Sequence, residues 1–329
     1  MPWNSPLPEN LEGSSSLQRP ADSVQMLVQP SSRFITAPDG LKLHVRDYRV
    51  RDHGNKRARR LPMVCLPGLS RTTEDFGVLA TAIAANVTAP RRVLALDYRG
   101  RGLSDYDRNP KNYAIPVELG DVIGVLVACG AAPAIIVGTS RGGLIAMALA
   151  VKHPGAIAGV VLNDIGPVID AQGLTRIKSY IGKLPEPHSF QEAADILRRI
   201  SEDQFPKLDA ADWLTAAKRG WREHQGRLVP TYDPALAHNL AAINPNQPAP
   251  TMWPQFEALA QMPVMVIRGA NSDILSAQTV EAMKARHPEM DVLVVPDQGH
   301  APLLAEPPVI ARIAQFAATC DAAHAEAVA

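Results

Sequence analysis

Six short apolar runs, each set apart by stretches of helical spacing, constrain the fold of this chain more than any other feature. They read MVCL (63–66), RVLALD (92–97), AIIVG (134–138), GVVLND (159–164), VMVIRG (264–269) and DVLVV (291–295). A strand with one wet face alternates apolar and polar residues. A run that is apolar throughout has both faces covered, as in a parallel sheet flanked by helices. The intervening segments supply those helices: one near 75–86, one over 117–129 with Val117, Val122, Leu126 and Val127, and one after residue 138. In the last, Leu144, Met147, Ala148 and Val151 recur at i, i+3, i+4 and i+7, one face of a helix. Ahead of the first run, RFITAPDGLKLHVRDYR reads as a hairpin turning at Pro38-Asp39-Gly40. The expected class is α/β, with a mostly parallel, doubly wound sheet.

The alternation stops between 165 and 255, which reads as helical, Pro-punctuated and without a strand. Ser189-Phe190-Gln191-Glu192 has the form of a capping box opening a helix through Ile200, and Asp209 is placed to cap another. On that second helix Trp213, Ala217 and Trp221 share a face. An insertion of this size between two sheet strands is expected to form a helical cap. The organisation predicted is therefore a flexible extension over 1–30, a core built from 31–164 and 256–322, and a cap over 165–255. The basic segment RVRDHGNKRARR (49–60) reads as a solvated connection.

Composition narrows the class of partner. Lys plus Arg and Asp plus Glu number 33 each, so no net field calls for nucleic acid or an acidic membrane. The apolar runs are interrupted long before a membrane span, and the first 30 residues lack the basic start and apolar stretch of a signal peptide. Cys65, Cys129 and Cys320 are far apart and form no C-x-x-C pair, which indicates neither a disulfide framework nor a structural zinc site. The address expected is a reducing cytoplasm.

In an open α/β sheet, ligands bind beyond the carboxyl ends of the strands. There the AIIVG run leads into VGTSRGG, with Ser140 on the sharp turn into a helix. Gly138 and Gly142 permit the close backbone approach such a turn needs. The helix N-terminus behind Ser140 offers N–H groups to negative charge on a reacting oxygen, and the Arg141 N–H is the first of them. A serine hydroxyl needs a base, and the base an orienting acid. PDQGHAPLL, after the DVLVV run, brings His300; GANSDIL, after VMVIRG, brings Asp273. Asp164 and Asp297 compete for the acid position, but Asp164 stands where the chain leaves for the cap and reads as a hinge or cap anchor. The turn Pro67-Gly68 after MVCL aims the Leu69 N–H at the same oxygen. DYRGRGLSD holds a G-x-G, but Asp105 occupies the place of a third glycine, so the dinucleotide fingerprint fails. Asp97, Arg99 and Ser104 then read as braces of that turn.

Taken together, LPGLS, LDYRGRGLSD, VGTSRGG, RGANSD and DQGHAPLLAEP resemble the α/β-hydrolase superfamily over roughly 32–320. The order serine, acid, histidine is the one that family uses. The resemblance implies Ser140 as nucleophile, His300 as base, Asp273 as acid, and Leu69 and Arg141 as oxyanion donors. Many members have His-Gly where this chain has Pro67-Gly68, which implies an altered loop rather than a lost oxyanion hole. The match is closest to esterases, enol-lactonases and C–C hydrolases; members acting on haloalkanes or epoxides use Asp where this chain has Ser140.

The function expected is serine hydrolysis of a small-molecule ester or lactone through an acyl-enzyme, with no cofactor and no metal. C–C hydrolysis of a vinylogous diketone by the same triad is one alternative, and a ligand-binding, receptor-like protein with vestigial catalysis is another. Trp213, Trp221, Met252 and Trp253 are candidate walls of the substrate site. The Arg141 side chain is expected either to be solvated or to meet an acidic substrate.

Overall fold

The structure, a computed structural model, describes residues 28–49, 60–241 and 250–328. Most of the expected N-terminal extension and nearly all of the basic connection fall outside the described residues. In chain order the elements are β1 (Ser31–Thr36), β2 (Lys42–Tyr48), β3 (Met63–Leu66), α1 (Gly77–Ala84), β4 (Val93–Leu96), α2 (Ile115–Cys129), β5 (Ala134–Thr139), α3 (Arg141–Lys152) and β6 (Ile157–Asn163). The inserted segment then contributes α4 (Ala171–Tyr180), α5 (Phe190–Ser201), α6 (Ala210–Gly220), β7 (Trp221–His224), β8 (Arg227–Pro230) and α7 (Trp253–Glu257). The chain closes with β9 (Val264–Gly269), α8 (Ala277–Arg286), β10 (Asp291–Val295) and α9 (Pro307–Val328).

Eight strands form one sheet in the order β1-β2-β4-β3-β5-β6-β9-β10, antiparallel over β1, β2 and β4 and parallel from β4 to β10. The apolar runs behave as their composition requires, for every residue of β3 and β4 is buried. Their side chains divide between two cores. Val64, Leu66, Leu94 and Ile136 pack on one face with Val122 and Leu126 of α2 and Ile145 of α3. Met63, Cys65, Val93 and Ile135 pack on the other with Leu79 and Ile83 of α1 and Ile313 and Phe316 of α9. No helix among the described residues is long and apolar enough to cross a membrane.

The insertion departs from expectation in two respects: it contains the β7–β8 hairpin, and Trp221, expected on the helix that Asp209 caps, is the first residue of β7. These strands are four residues each with one buried residue apiece, Trp221 and Leu228, so no apolar run announces them. The turn is legible afterwards in Gln225-Gly226, both left-handed at φ 51° and 74°. The helix starts carry the caps expected of them. Ser189 Oγ accepts from the Glu192 N–H at 3.1 Å, while the Glu192 carboxylate reaches back one residue further than expected, to the His188 N–H. Asp209 and Asp212 form a full reciprocal capping box on α6.

Strand order places the functional end. The chain passes from β3 outward to β4 and returns to β5 on the other side of β3, with Leu66 paired to Gly138. The loops leaving β3 and β5 therefore diverge at a topological switch point, which opens a crevice at the carboxyl ends of these strands.

Candidate active site

Ser140 stands in that crevice, between the last residue of β5 and the first of α3, at φ 50° and ψ −112°. A positive φ on a non-glycine residue is costly and persists only where its surroundings enforce it. Here the enforcement comes from close packing. A Cβ on Gly142 would lie 2.1 Å from the Leu66 carbonyl oxygen, and one on Gly138 would lie 2.5 Å from the Gly142 carbonyl carbon. The Ser140 N–H donates to the Asn163 carbonyl at 3.0 Å, which ties the turn to β6.

The Ser140 hydroxyl lies 2.8 Å from His300 Nε2, and His300 Nδ1 lies 2.8 Å from Asp164 Oδ2. The expected serine and histidine meet; the expected acid does not join them. Asp273 instead takes a two-point bond from Arg176 of α4, Nε at 2.6 Å and Nη2 at 2.9 Å. Burial pushes the Asp273 carboxyl up, but hydrogen bonds from Arg176 and Gln204 and the Arg176 charge hold it below the ordinary carboxylate value. Asp164 replaces it for a structural reason. It is the residue directly after β6, wholly buried, at φ 55°, with its N–H donating to Ile267 of β9. Its carboxylate accepts from the Gly269 N–H (2.9 Å), the Ser272 hydroxyl (2.6 Å) and His300. Three hydrogen-bond partners hold the carboxylate in place against the imidazole. The loop after β9 thus reaches this cluster through Ser272 rather than through Asp273.

The histidine loop is held from the cap. Gln204 Oε1 accepts from the His300 N–H at 2.8 Å and from Arg176 Nη2 at 3.3 Å. Asn163 donates to Thr139 Oγ1 and to the Pro302 carbonyl, both at 3.0 Å. Neither residue stood out in the sequence, because both act through partners far along the chain.

The Leu69 and Arg141 N–H groups make no hydrogen bond among the described residues and remain available to an oxyanion. Beneath them lies an unexpected cluster. Arg101 donates from Nε to the Leu69 carbonyl (2.8 Å) and from Nη1 to Glu118 Oε1 (2.6 Å). Arg141 donates from Nε to Glu118 Oε2 (2.5 Å) and from Nη2 to the Tyr113 carbonyl (2.6 Å). One buried carboxylate therefore links the loop that carries Leu69 to the turn that carries Ser140. The Arg141 side chain is neither solvated nor turned toward a substrate. Asp97, Arg99 and Ser104 brace the neighbouring turn as read from the sequence: Arg99 forks onto Asp121 at 2.7 Å, and Ser104 Oγ donates to the Asp97 carbonyl at 2.6 Å.

Ser140 and His300 open on a cleft lined also by Gly68, Leu69, Tyr180 and Arg219. A second compartment continues under the cap, sharing Arg71, Tyr180, His300 and Leu303 with the first. Trp213 and Trp221 wall this second compartment while belonging to the cap's own core with Phe205 and Leu228. Met252 and Trp253 lie elsewhere, a correction to the expected wall. They pack on the sheet core at α7, where Trp253 stacks under Arg286 at 3.8 Å. A Pro-punctuated chain gives no sign of which face its apolar residues present.

Serine, histidine and aspartate meet a second time, at Ser32, His44 and Asp97 (2.9 and 2.7 Å). There Ser32 sits within the regular β1–β2 ladder, and Asp97 also holds the Thr73 and Leu103 N–H groups. Ser32 is exposed but has no helix N-terminus behind it, and that set braces β2 against the turn after β4. The contrast shows what is particular to Ser140: its hydroxyl is presented at a helix N-terminus and faces a cleft.

Known proteins match this architecture. Residues 63–313 match the α/β hydrolase family. A 3-hydroxybutyrate-oligomer hydrolase from Cupriavidus necator is 33% identical over 269 residues, covering 77% of this chain and 87% of the relative. A 2-(acetamidomethylene)succinate hydrolase from Mesorhizobium japonicum is 24% identical over 72% of this chain and 81% of its own length. The crystal structure of an α/β hydrolase from Novosphingobium aromaticivorans is 40% identical, with a TM-score of 0.79, over 88% of this chain and 98% of that one. From the matched span and the shared fold, the chain belongs to the α/β hydrolase family.

Proposed function

We propose that this hydrolase is a serine esterase that works through an acyl-enzyme and needs no cofactor. The observation that carries the reading is the continuous hydrogen-bonded chain Ser140–His300–Asp164, with its serine at a helix N-terminus and facing a cleft. Ser140 Oγ attacks the substrate carbonyl carbon while His300 Nε2 takes its proton. Asp164 keeps the other ring proton on Nδ1 and stabilises the imidazolium as it forms. The carbonyl oxygen gains charge between the free Leu69 and Arg141 N–H groups, at the positive end of α3. Collapse of the tetrahedral intermediate breaks the C–O bond, and His300 returns its proton to the departing alcohol. Water, deprotonated by His300, then clears the acyl group from Ser140.

An ester is the bond best supported. One relative is named for hydrolysis of 3-hydroxybutyrate oligomers, and hydroxy acids oligomerise through esters. Lactones enter by the same steps, with the alcohol still tethered to the acyl group. The second compartment, walled by Trp213, Trp221 and Phe205, suits an apolar portion of the substrate.

Burst kinetics with p-nitrophenyl butyrate test this reading. A stoichiometric burst of p-nitrophenol is expected from the native protein, and Ser140→Ala should lose at least about 10³-fold in kcat. Turnover by Ser140→Ala within tenfold of the native rate would remove the serine mechanism.

A further inference from the structure

Most arginines around the site are paired with carboxylates. Arg99 is held by Asp39, Asp107 and Asp121, Arg101 and Arg141 share Glu118, and Arg176 forks onto Asp273. Two arginines of the cleft lining differ. The Arg71 side chain makes no hydrogen bond among the described residues, and its nearest carboxylate there, Asp75 Oδ2, stands 3.9 Å from Nε, beyond hydrogen-bonding reach. Arg219 has neither a hydrogen bond from its guanidinium nor a carboxylate within 4.0 Å among the described residues.

Their placement matters as much as their freedom. Arg71 lies on the loop that carries Leu69, and Arg71 Cγ and Ser140 Cβ stand 3.4 and 3.8 Å from the point where a Cβ on Gly68 would sit. Arg71 lines both compartments, so it stands where they join, beside the nucleophile. Arg219 lines the first compartment from the cap side. A guanidinium offers five donors in a fork matched to a carboxylate, and a cleft with low-dielectric walls strengthens the pairing.

We propose that the site selects esters carrying a free carboxylate a short distance from the scissile bond, with Arg71 as the principal carboxylate-binding residue and Arg219 as its partner. This rests on the serine-esterase reading and adds a charge requirement to it. In this arrangement the carboxylate holds one end of the substrate at the junction of the compartments. The scissile carbonyl then falls between Ser140 and the oxyanion donors, and the uncharged remainder extends under the cap.

The test compares substrates that differ only in charge. On the acyl side, monoethyl glutarate is paired with ethyl 4-carbamoylbutanoate. On the alcohol side, 3-butanoyloxybutanoate is paired with its amide. Hydrolysis is followed by product chromatography. In at least one pair the carboxylate is expected to have a kcat/KM at least about tenfold above its amide, and the pair that responds tells which side of the ester bears the charge. Rising salt should narrow the gap. Arg71→Gln should collapse the carboxylate-to-amide ratio by about 10- to 100-fold, chiefly through KM, with Arg71→Lys restoring part of it and Arg219→Gln producing a smaller drop. The ratio is the readout, so a general loss of activity cancels.

Equal hydrolysis of carboxylate and amide in both pairs overturns the proposal, as does a ratio unmoved by Arg71→Gln and Arg219→Gln. If p-nitrophenyl butyrate is turned over while all four esters are inert, the carboxylate proposal falls and the esterase reading stands. If no ester is cleaved and Ser140 is not labelled by a serine-directed phosphonate, the esterase reading itself falls and takes this proposal with it.

Discussion

Replacing Asp164 by asparagine separates the two candidate acids. The carboxylate sits wholly buried and accepts from the Gly269 N–H at 2.9 Å, the Ser272 hydroxyl at 2.6 Å and His300 Nδ1 at 2.8 Å. An amide offers one oxygen and two N–H donors in the same space. The Gly269 N–H is fixed on β9 and can only donate, so the amide oxygen must face it. The amide nitrogen then faces Ser272 and His300, and His300 Nδ1 can only accept from it. The ring proton moves to Nε2, where it blocks acceptance of the Ser140 proton. Loss of the productive tautomer in this way is worth about 10⁴ in kcat. Asp273→Asn keeps one oxygen for Arg176 and loses the two-point geometry, so kcat should fall less than about tenfold and stability by about 1 kcal/mol. Both variants are assayed with p-nitrophenyl butyrate, with thermal melts to verify folding. A larger loss of kcat from Asp273→Asn than from Asp164→Asn would refute the reasoning and return the acid role to Asp273.

Two further outcomes follow from buried charge. Glu118→Gln leaves Arg101 and Arg141 facing a neutral amide in a site closed to solvent, and should destabilise the fold by about 3–5 kcal/mol in urea unfolding; a change below about 1 kcal/mol would contradict the bridging role. Burial pushes the Asp47 carboxyl up, yet hydrogen bonds and charge from Arg92 and Arg49 bring it down to about 2. A depressed value in the folded state means the unfolded chain binds the proton first, so this stability is present above about pH 4 and is lost as pH falls toward 2. Asp47→Asn should therefore cost about 2 kcal/mol at pH 7, with the difference from the native protein vanishing near pH 2. A difference unchanged between pH 7 and pH 2 would contradict the ion-pair account.

The parallel sheet was legible because it is written in contiguous residues: MVCL, VMVIRG and DVLVV form β3, β9 and β10 at the positions read from sequence. The meeting of Ser140 with His300 is legible for a related reason, since a glycine-flanked strand-to-helix turn and a post-strand histidine are local patterns. The aspartate that meets His300 is not, because Asp164 and Asp273 both follow strands and only the third dimension separates them. Arg176, which occupies Asp273, comes from a cap helix 97 positions away, and Ser272, which supports Asp164, lies 108 away. The direction of the Arg141 side chain was hidden likewise, as its partner Glu118 sits on another helix. The β7–β8 hairpin is not legible because strands of four residues with one buried residue apiece leave no apolar signature. Met252 and Trp253 were misplaced because an aromatic residue is apolar whether it faces a cleft or a core.

The central claim is that Ser140 becomes covalently acylated. Intact-protein and peptide mass spectrometry after treatment with a fluorophosphonate, and after rapid acid quench from p-nitrophenyl butyrate, measures it directly. The account predicts one adduct per chain in each case, mapped to the peptide containing Ser140 and absent from Ser140→Ala. An adduct on another residue, or ester turnover with no adduct trapped and Ser140→Ala as fast as the native protein, would contradict it.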